Sequence, residues 1–398
     1  MRRLPLLLIV CAALVLWLSF GIRQSFGLFL EPMTAGLGWD RTVFALAIAL
    51  QNLAWGVSQP FFGALADRFG IVRALLLGAS LYVAGLLIMA LSGTPAGLYL
   101  GAGLLIGFGV SGTSFSLVLA AIARAVPPER SSLALGLVSA GGSFGQFAMP
   151  LFSQGLIGGV GWLTALLILA ACAGLMVPFA FGLTRADKVG EPATSTQSLG
   201  EALREAGGHR GYWLLNAGFF VCGFHVAFVA THLPAYLLNL HFAPMLGAWA
   251  LATIGLFNII GTFVAGFLGG RHRKKYVLSG LYLSRSMVFV LFLMMPPSPA
   301  WVLVASAAIG MLWLGTVPLT GGLVGQIFGP RYMATLFSIV MLSHQIGAFC
   351  GAWIGGYVFD VTASYDIAWK IAIALGIMSA ALHLPIADEA LRVERKPA

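Results

Sequence analysis

A chain of 398 residues that is 59% hydrophobic and 9% charged has too few polar side chains to cover a water-facing surface, for which about 25% charged is usual. Its mean hydropathy of +0.94 excludes an ordinary soluble enzyme, and it excludes disorder because so apolar a chain inserts or collapses. The net charge of +9 leaves nucleic acid or membrane topology as its origin, and its placement along the chain decides for topology.

Crossing ~30 Å of hydrocarbon takes about 20 apolar residues. Twelve such runs follow one another, at roughly 5–30, 43–66, 73–92, 96–123, 131–157, 161–184, 211–238, 245–268, 276–295, 300–325, 332–358 and 367–387. Each is expected to be a helix, since a spanning backbone must satisfy its own hydrogen bonds. The first run is longer than a signal-peptide core and has no small-residue cleavage site, so it is read as retained. Glycines 101, 103, 107, 109 and 112 of the fourth run mark close packing and bending; no strand precedes them and no Walker lysine follows.

The only long polar insert runs from Arg185 to Arg210. It is read as a solvated linker, dividing the chain into bundles at 1–184 and 211–398 around a linker at 185–210. Eighteen Lys and Arg residues, among them Arg2, Arg68, Arg124, Arg271 and Lys396, fall on the side of the N-terminus, against Arg41 and Lys370 on the other. The positive-inside rule then places both termini in the cytoplasm, which accounts for the basicity without nucleic acid. Cys11, Cys172, Cys222 and Cys350 lie in apolar runs at unrelated spacings, so neither a disulfide nor a metal site is expected.

All thirteen carboxylates fall at or beyond span ends. What remains inside is Arg23, Arg285, His225, His232 and His344. A charge at mid-bilayer costs ~2.5–3.5 kcal/mol on insertion scales. An interior Arg without an acid must be satisfied by carbonyls, water or a bound anion, and its planar fork suits a carboxylate. Arg23 either guards an interior cavity or snorkels to the outer headgroups. His225 and His232, seven apart, share one face of the seventh span, and His344 lies near the middle of the eleventh. A histidine is the one titratable type in these spans able to carry a proton near neutrality. Gln51, Asn52, Gln59, Gln146, Asn216 and Asn258 are uncharged polar candidates, and aromatics such as Trp55, Phe115 and Trp313 are read as filling.

The halves echo each other. Gly63 to Arg73, with Asp67, Arg68 and Gly70, returns as Gly266 to Lys274 about 203 residues later, and duplication of this kind builds secondary transporters. Pro128-Glu129-Arg130 is echoed by Gly329-Pro330-Arg331. The Gly63–Arg73 stretch resembles the loop signature of the major facilitator superfamily, and the resemblance extends over essentially the whole chain. It implies an all-α membrane protein of twelve transmembrane helices in two pseudo-symmetric six-helix bundles. It further implies that Gly63, Asp67, Arg68, Gly70 and Arg73 form a gating loop closing the cytoplasmic side in the outward-open state. In that architecture spans one, four, seven and ten line the cavity, which favours Arg23, while span nine, with Arg285, more often supports its neighbours.

Arg23 to Phe29 with Glu31-Pro32, and Ala140 to Pro150, are similar to the bacterial monocarboxylate-transporter-like branch. The span-one lysine of that branch aligns at or beside Gln24. Its acid-or-Asn and Arg pair in span eight falls on Asn258 and Thr262. The combined expectation is a secondary active transporter, not an enzyme, moving a small organic anion by alternating access with a proton or counter-anion. Arg23, Gln24, His225, Asn258, Arg285 and His344 are the substrate-binding candidates, and His225, His232 and His344 the proton-coupling candidates. No metal or cofactor is expected, and the assembly is read as a monomer in the bacterial inner membrane. A drug or amphipath exporter of the same fold is the alternative; the missing central carboxylate counts against it.

Overall fold

The computed structural model describes residues 6–126, 128–184, 199–329 and 332–391, and its regular elements are all helical. Arg2, Arg3, residues 185–198 of the expected linker, the Pro330-Arg331 echo and the basic residues beyond 391 lie outside the described residues. The first half comprises α1 (Leu6–Gln24), a 3-10 turn (Phe26–Phe29), α2 (Leu30–Leu37), α3 (Arg41–Phe69), α4 (Ile71–Leu91) and α5 (Pro95–Leu98). A π-helical stretch (Tyr99–Leu105), α6 (Ile106–Gly112), α7 (Phe115–Ala125), α8 (Pro128–Gly174) and α9 (Met176–Phe181) complete it. The second half comprises α11 (Arg210–Asn239), α12 (Pro244–Arg271), α13 (Lys274–Met294), α14 (Pro299–Met311), α15 (Thr316–Phe328), α16 (Met333–Thr362) and α17 (Asp366–His383). Between the halves lies α10 (Leu199–Gly208).

Ten stretches among the described residues are long and apolar enough to cross a membrane. One of them, Leu133–Phe181, takes up two of the runs separated in the sequence. Gly161 divides it with φ 80° and ψ 162°, a conformation without cost only for glycine. The helix α3 is long enough at 29 residues, but Gln51, Asn52 and Gln59 make it more polar than its neighbours.

Two spans that read as single apolar runs are interrupted. The fourth breaks at Thr113–Ser114, where the Ser114 hydroxyl caps α7 through the Leu117 amide. The tenth breaks over Leu312–Gly315, between α14 and α15. These breaks correspond under the internal repeat. Ser19 and Thr113 share a hydroxyl–hydroxyl bond of 2.7 Å, and the Cys222 thiol and Thr316 hydroxyl share a bond of 3.1 Å. Each pair is 94 residues apart in sequence, and the second lies about 203 residues beyond the first, as an internal duplication requires.

Part of the expected linker is ordered. Leu199–Gly208 folds as an amphipathic helix with Ala202 and Ala206 buried, and Trp213 Nε1 donates to the Gly207 carbonyl at 2.8 Å.

In lipid, helices associate through close packing more than through hydrophobic driving force. A Cβ on Gly78 would stand 2.6 Å from the Gly112 Cα, so α4 and α6 touch backbone to backbone. Small residues also bring the halves together. Gly27 lies against the Ala230 carbonyl, Gly56 against Gln345, Gly255 against Gln146, and Gly356 against Ala45. The buried core of the first half therefore continues into Ala227, Ala235, Ala348 and Ala352 of the second. The second half has two further apolar clusters of its own.

Candidate functional site

Arg23 occupies the last turn of α1 and points between the halves. Its Nη2 donates to Asn52 Oδ1 on α3, and its guanidinium carbon stands 5.0 Å from the centre of the Trp55 ring, one turn further along the same helix. Asn52 is fixed for this role by its own amide, which donates to the Ile48 carbonyl at 2.8 Å. The buried Arg23 Nε has no acceptor. Among the described residues no carboxylate pairs with Arg23, whose ion-pairing equivalents elsewhere are Arg41 with Glu31 and Arg273 with Asp388. The cavity beside it is small, about 20 Å³, room for one water-sized group. Phe26, Gln51 and Asn52 of the first half face Val226, Ala230 and Thr231 of the second across this space.

Other buried polar groups also lack partners, and two of them, Gln345 and Gln146, lie where the halves meet. Gln24 Nε2, Gln51 Oε1, Gln146 Oε1, both amide atoms of Gln345 and both ring nitrogens of His344 are buried with no hydrogen-bond partner among the described residues. Unsatisfied buried polar atoms are costly, about 1–3 kcal/mol each, and each one in a native protein calls for an explanation. Gln345 touches Gly56, one residue beyond Trp55, and Gln146 touches Gly255. The His344 ring lies 5.0 Å from that of Phe219.

The other candidates from the sequence lie elsewhere. Arg285 is fully buried inside the second half. Its Nη2 donates to the carbonyls of Leu312 and Trp313, the latter at 2.7 Å, so the carbonyls released by the break in the tenth span are satisfied by this guanidinium. Asn258 serves the same break from the other side: its Oδ1 accepts the Leu314 amide at 3.1 Å and the Thr262 hydroxyl at 3.4 Å. Discontinuous spanning helices need such side chains to replace lost backbone bonds. The Asn258 and Thr262 positions thus act together on backbone in this chain.

His225 is sealed among Phe224 and Phe289, and its Nε2–H donates to the Ala372 carbonyl at 2.7 Å. His232 donates through Nε2 to the Ala352 carbonyl at 2.7 Å and faces the Tyr365 hydroxyl with Nδ1 at 3.3 Å. Of the three histidines expected to carry protons, His344 alone has both ring nitrogens unpartnered among the described residues.

His232 leads to a second polar centre at the end of the molecule remote from the termini. Arg41 donates to Tyr365 Oη at 3.0 Å, to Asn239 Oδ1 at 3.0 Å and to Glu31 Oε2 at 2.6 Å. The Arg41 amide and the Thr42 amide reach the two oxygens of Asp360 at 3.1 and 2.7 Å. Arg41 and Thr42 open α3, whereas Asn239, Asp360 and Tyr365 belong to the other half, so this network ties the halves together at that end. The sequence reading treats Arg41 as a topological charge and Asp360 as a span-end acid. The available signal was that an Arg and an acid begin and end long spans on the same side of the membrane.

At the opposite end, Asp67, Arg68 and Arg73 are exposed. Gly70 ends α3 with φ 96°, the left-handed region that favours glycine. A Cβ on Gly63 would meet nothing within 4 Å, so no packing constraint explains that glycine in this conformation. Gln59, Asp67, Ser111, Ser114 and Ser116 line a recess of about 150 Å³ on this side.

Comparison with known proteins places the chain in context. A family model described as Major Facilitator Superfamily matches residues 12–352 and 239–397. Monocarboxylate transporter 13 of Bos taurus is 28% identical over 374 residues, which cover 89% of this chain and 83% of that protein. The Oxalate:formate antiporter of Oxalobacter formigenes is 24% identical over 367 residues, covering 88% of this chain and 84% of that protein. The fold matches the crystal structure of a bacterial homolog to the human lysosomal transporter Spinster, in an inward-facing and unoccupied conformation. The TM-score is 0.79 at 16% identity, over 96% of this chain and 97% of that one.

Proposed function

Because the chain belongs to the Major Facilitator Superfamily, we propose that it is a secondary active transporter moving a small organic anion of the monocarboxylate class by alternating access. Transport, not catalysis, is the activity of this family and of the named relatives. The anion is our reading, and one observation carries it: among the described residues Arg23, between the halves, has one acceptor, Asn52, and no carboxylate partner. A carboxylate cargo would supply the missing acceptor in bidentate form. It would rest against the Trp55 ring that already supports the guanidinium, and Gln345, Gln146 and His344 would offer it further polar contacts.

Under this proposal the chain makes twelve crossings with both termini in the cytoplasm of a bacterial inner membrane, as its loop charges support. The Arg41 network then closes the periplasmic end, and the exposed Asp67 loop engages in the opposite state. His344 is the coupling group this arrangement favours, since His225 and His232 are committed to main-chain carbonyls. The small space beside Arg23 requires the halves to part before cargo binds.

The test is uptake of labelled lactate, pyruvate and oxalate into proteoliposomes containing wild type or Arg23→Gln protein. The proposal expects uptake of at least one acid by the wild type and a loss of tenfold or more in the variant, about 1.4 kcal/mol or more of lost interaction. Equal uptake of every accepted acid by both proteins would remove Arg23 from the cargo site.

A further inference from the structure

A groove of about 750 Å³ runs along the second half between α12 and α13, floored by Met311 at the end of α14 and Leu312 of the break that follows it. Its walls are apolar or small: Val264, Ala265 and Leu268 on one side, Val277, Gly280 and Leu281 on the other. Gly280 is exposed, and a Cβ there would meet nothing within 4 Å, so the groove is open at its middle to whatever surrounds the protein. At the end near the termini it finishes on Arg271, His272 and Arg273.

The charges at that end are not equivalent. Arg273 is paired with Asp388. Arg271 lies over the ring of Phe267, 4.0 Å from its centre, and its side chain makes no hydrogen bond or ion pair among the described residues; nor does the His272 side chain. Two basic groups without acids thus cap an apolar trough on a membrane-facing surface.

The dimensions match one leaflet. From Gly261 to Arg271 the wall of α12 rises ~15 Å at 1.5 Å per residue, half of the ~30 Å hydrocarbon core. Acyl chain therefore fits along the trough while a headgroup lies level with Arg271 and His272. Basic pockets between spanning helices select anionic headgroups, and zwitterionic lipid would leave the Arg271 guanidinium without a net counter-charge.

We propose that this groove is a binding site for an anionic phospholipid of the leaflet on the side of the termini, its phosphate held by Arg271 and His272. The lipid tail ends against Leu312, whose carbonyl is held by Arg285, so the bound lipid abuts the break in the tenth span. The inference rests on the groove and its cap and is independent of the identity of the cargo.

Native mass spectrometry of the full-length protein, purified in detergent and supplied with phosphatidylglycerol and phosphatidylcholine in equal amounts, tests it. The wild type is expected to retain phosphatidylglycerol with about tenfold preference, an effect of the size two basic contacts provide. Arg271→Ala with His272→Ala should abolish the preference, and Gly280→Phe, which fills the trough without changing charge, should reduce retention of both lipids. Equal retention of the two lipids by the wild type overturns the proposal without recourse to any variant. Undiminished preference in the double variant, or undiminished retention in Gly280→Phe, overturns it as well.

Discussion

Arg285 Nη2 lies 2.7 Å from the carbonyl oxygen of Trp313, so a fully buried cation closes the gap in a broken helix. The same guanidinium also takes the Leu312 carbonyl, and Asn258 takes the Leu314 amide. Three consecutive residues that lost helical partners are satisfied by two side chains from neighbouring spans. Arg23 also lies within a span but lacks this saturation: its Nε has no acceptor among the described residues.

That contrast gives the first prediction. Arg285→Met leaves two main-chain carbonyls without donors, at about 1–3 kcal/mol each, so its Tm in detergent should fall clearly below that of the wild type. Arg23→Gln should leave the Tm within a degree or so while transport is lost. A thermal-unfolding series run beside the uptake assay reads both. A stable Arg285→Met protein would show that the break needs no guanidinium.

The Arg41 network should set the balance between the two states of the carrier. Asp360→Ala removes the acceptor of the Arg41 and Thr42 amides, weakening the far-end closure and shifting population toward the state open on that side. A cysteine placed at Thr231, beside the Arg23 cavity, in a background without the native cysteines, reports this. Labelling by an impermeant thiol reagent added opposite the termini should rise severalfold in Asp360→Ala. An unchanged rate would mean that packing alone keeps that end shut.

Acid should weaken one ion pair in a defined direction. The hydrogen bond from Arg273, reinforced by its charge, holds the Asp388 carboxyl below its usual range. A lowered folded value means the pair stabilises the protein above the unfolded carboxylate value of about 3.9 and loses that contribution as pH falls through the folded value. The Tm difference between wild type and Asp388→Asn should therefore be constant from about pH 5 to 8 and shrink on further acidification. A difference that grows with acid would contradict this assignment.

Proton coupling through His344 makes a prediction that the other histidines cannot share. Wild-type uptake should depend on pH. His344→Gln should flatten that profile, whereas His225→Gln and His232→Gln should keep its midpoint whatever they do to stability. A profile indifferent to all three substitutions would exclude histidine from the coupling.

Much of the fold is legible in the residues, and the departures have local causes. The end of α3 at Gly70 and the start of α8 at Pro128 follow from residues whose backbone preferences admit little else. The interruption at Leu312–Gly315 has no proline within it, and only Gly315 and the Pro318 in the first turn of α15 hint at it. It persists because Arg285 and Asn258, on two other spans, replace its hydrogen bonds. The helix at Leu199–Gly208 was hidden by a low apolar content, which two buried alanines and a contact to Trp213 suffice to offset. Within the site, Arg23 was visible as a charge where no charge belongs. Trp55 and Gln345 were not, since an aromatic or an amide in an apolar run carries no sign of what it faces.

By itself the sequence determined that this chain belongs in a membrane, that Gly63–Arg73 is echoed at Gly266–Lys274, and which family it belongs to. These are properties of composition and spacing, which contiguous residues carry without reference to their neighbours in space. Tertiary structure decided that Arg285 is held by two main-chain carbonyls, that Arg23 meets Asn52, and that His225 and His232 bond main-chain carbonyls. Each outcome depends on whether a carbonyl from another helix lies within about 3 Å of each donor, and the Arg285 and Trp313 pair, 28 residues apart, becomes a contact only when the bundle closes.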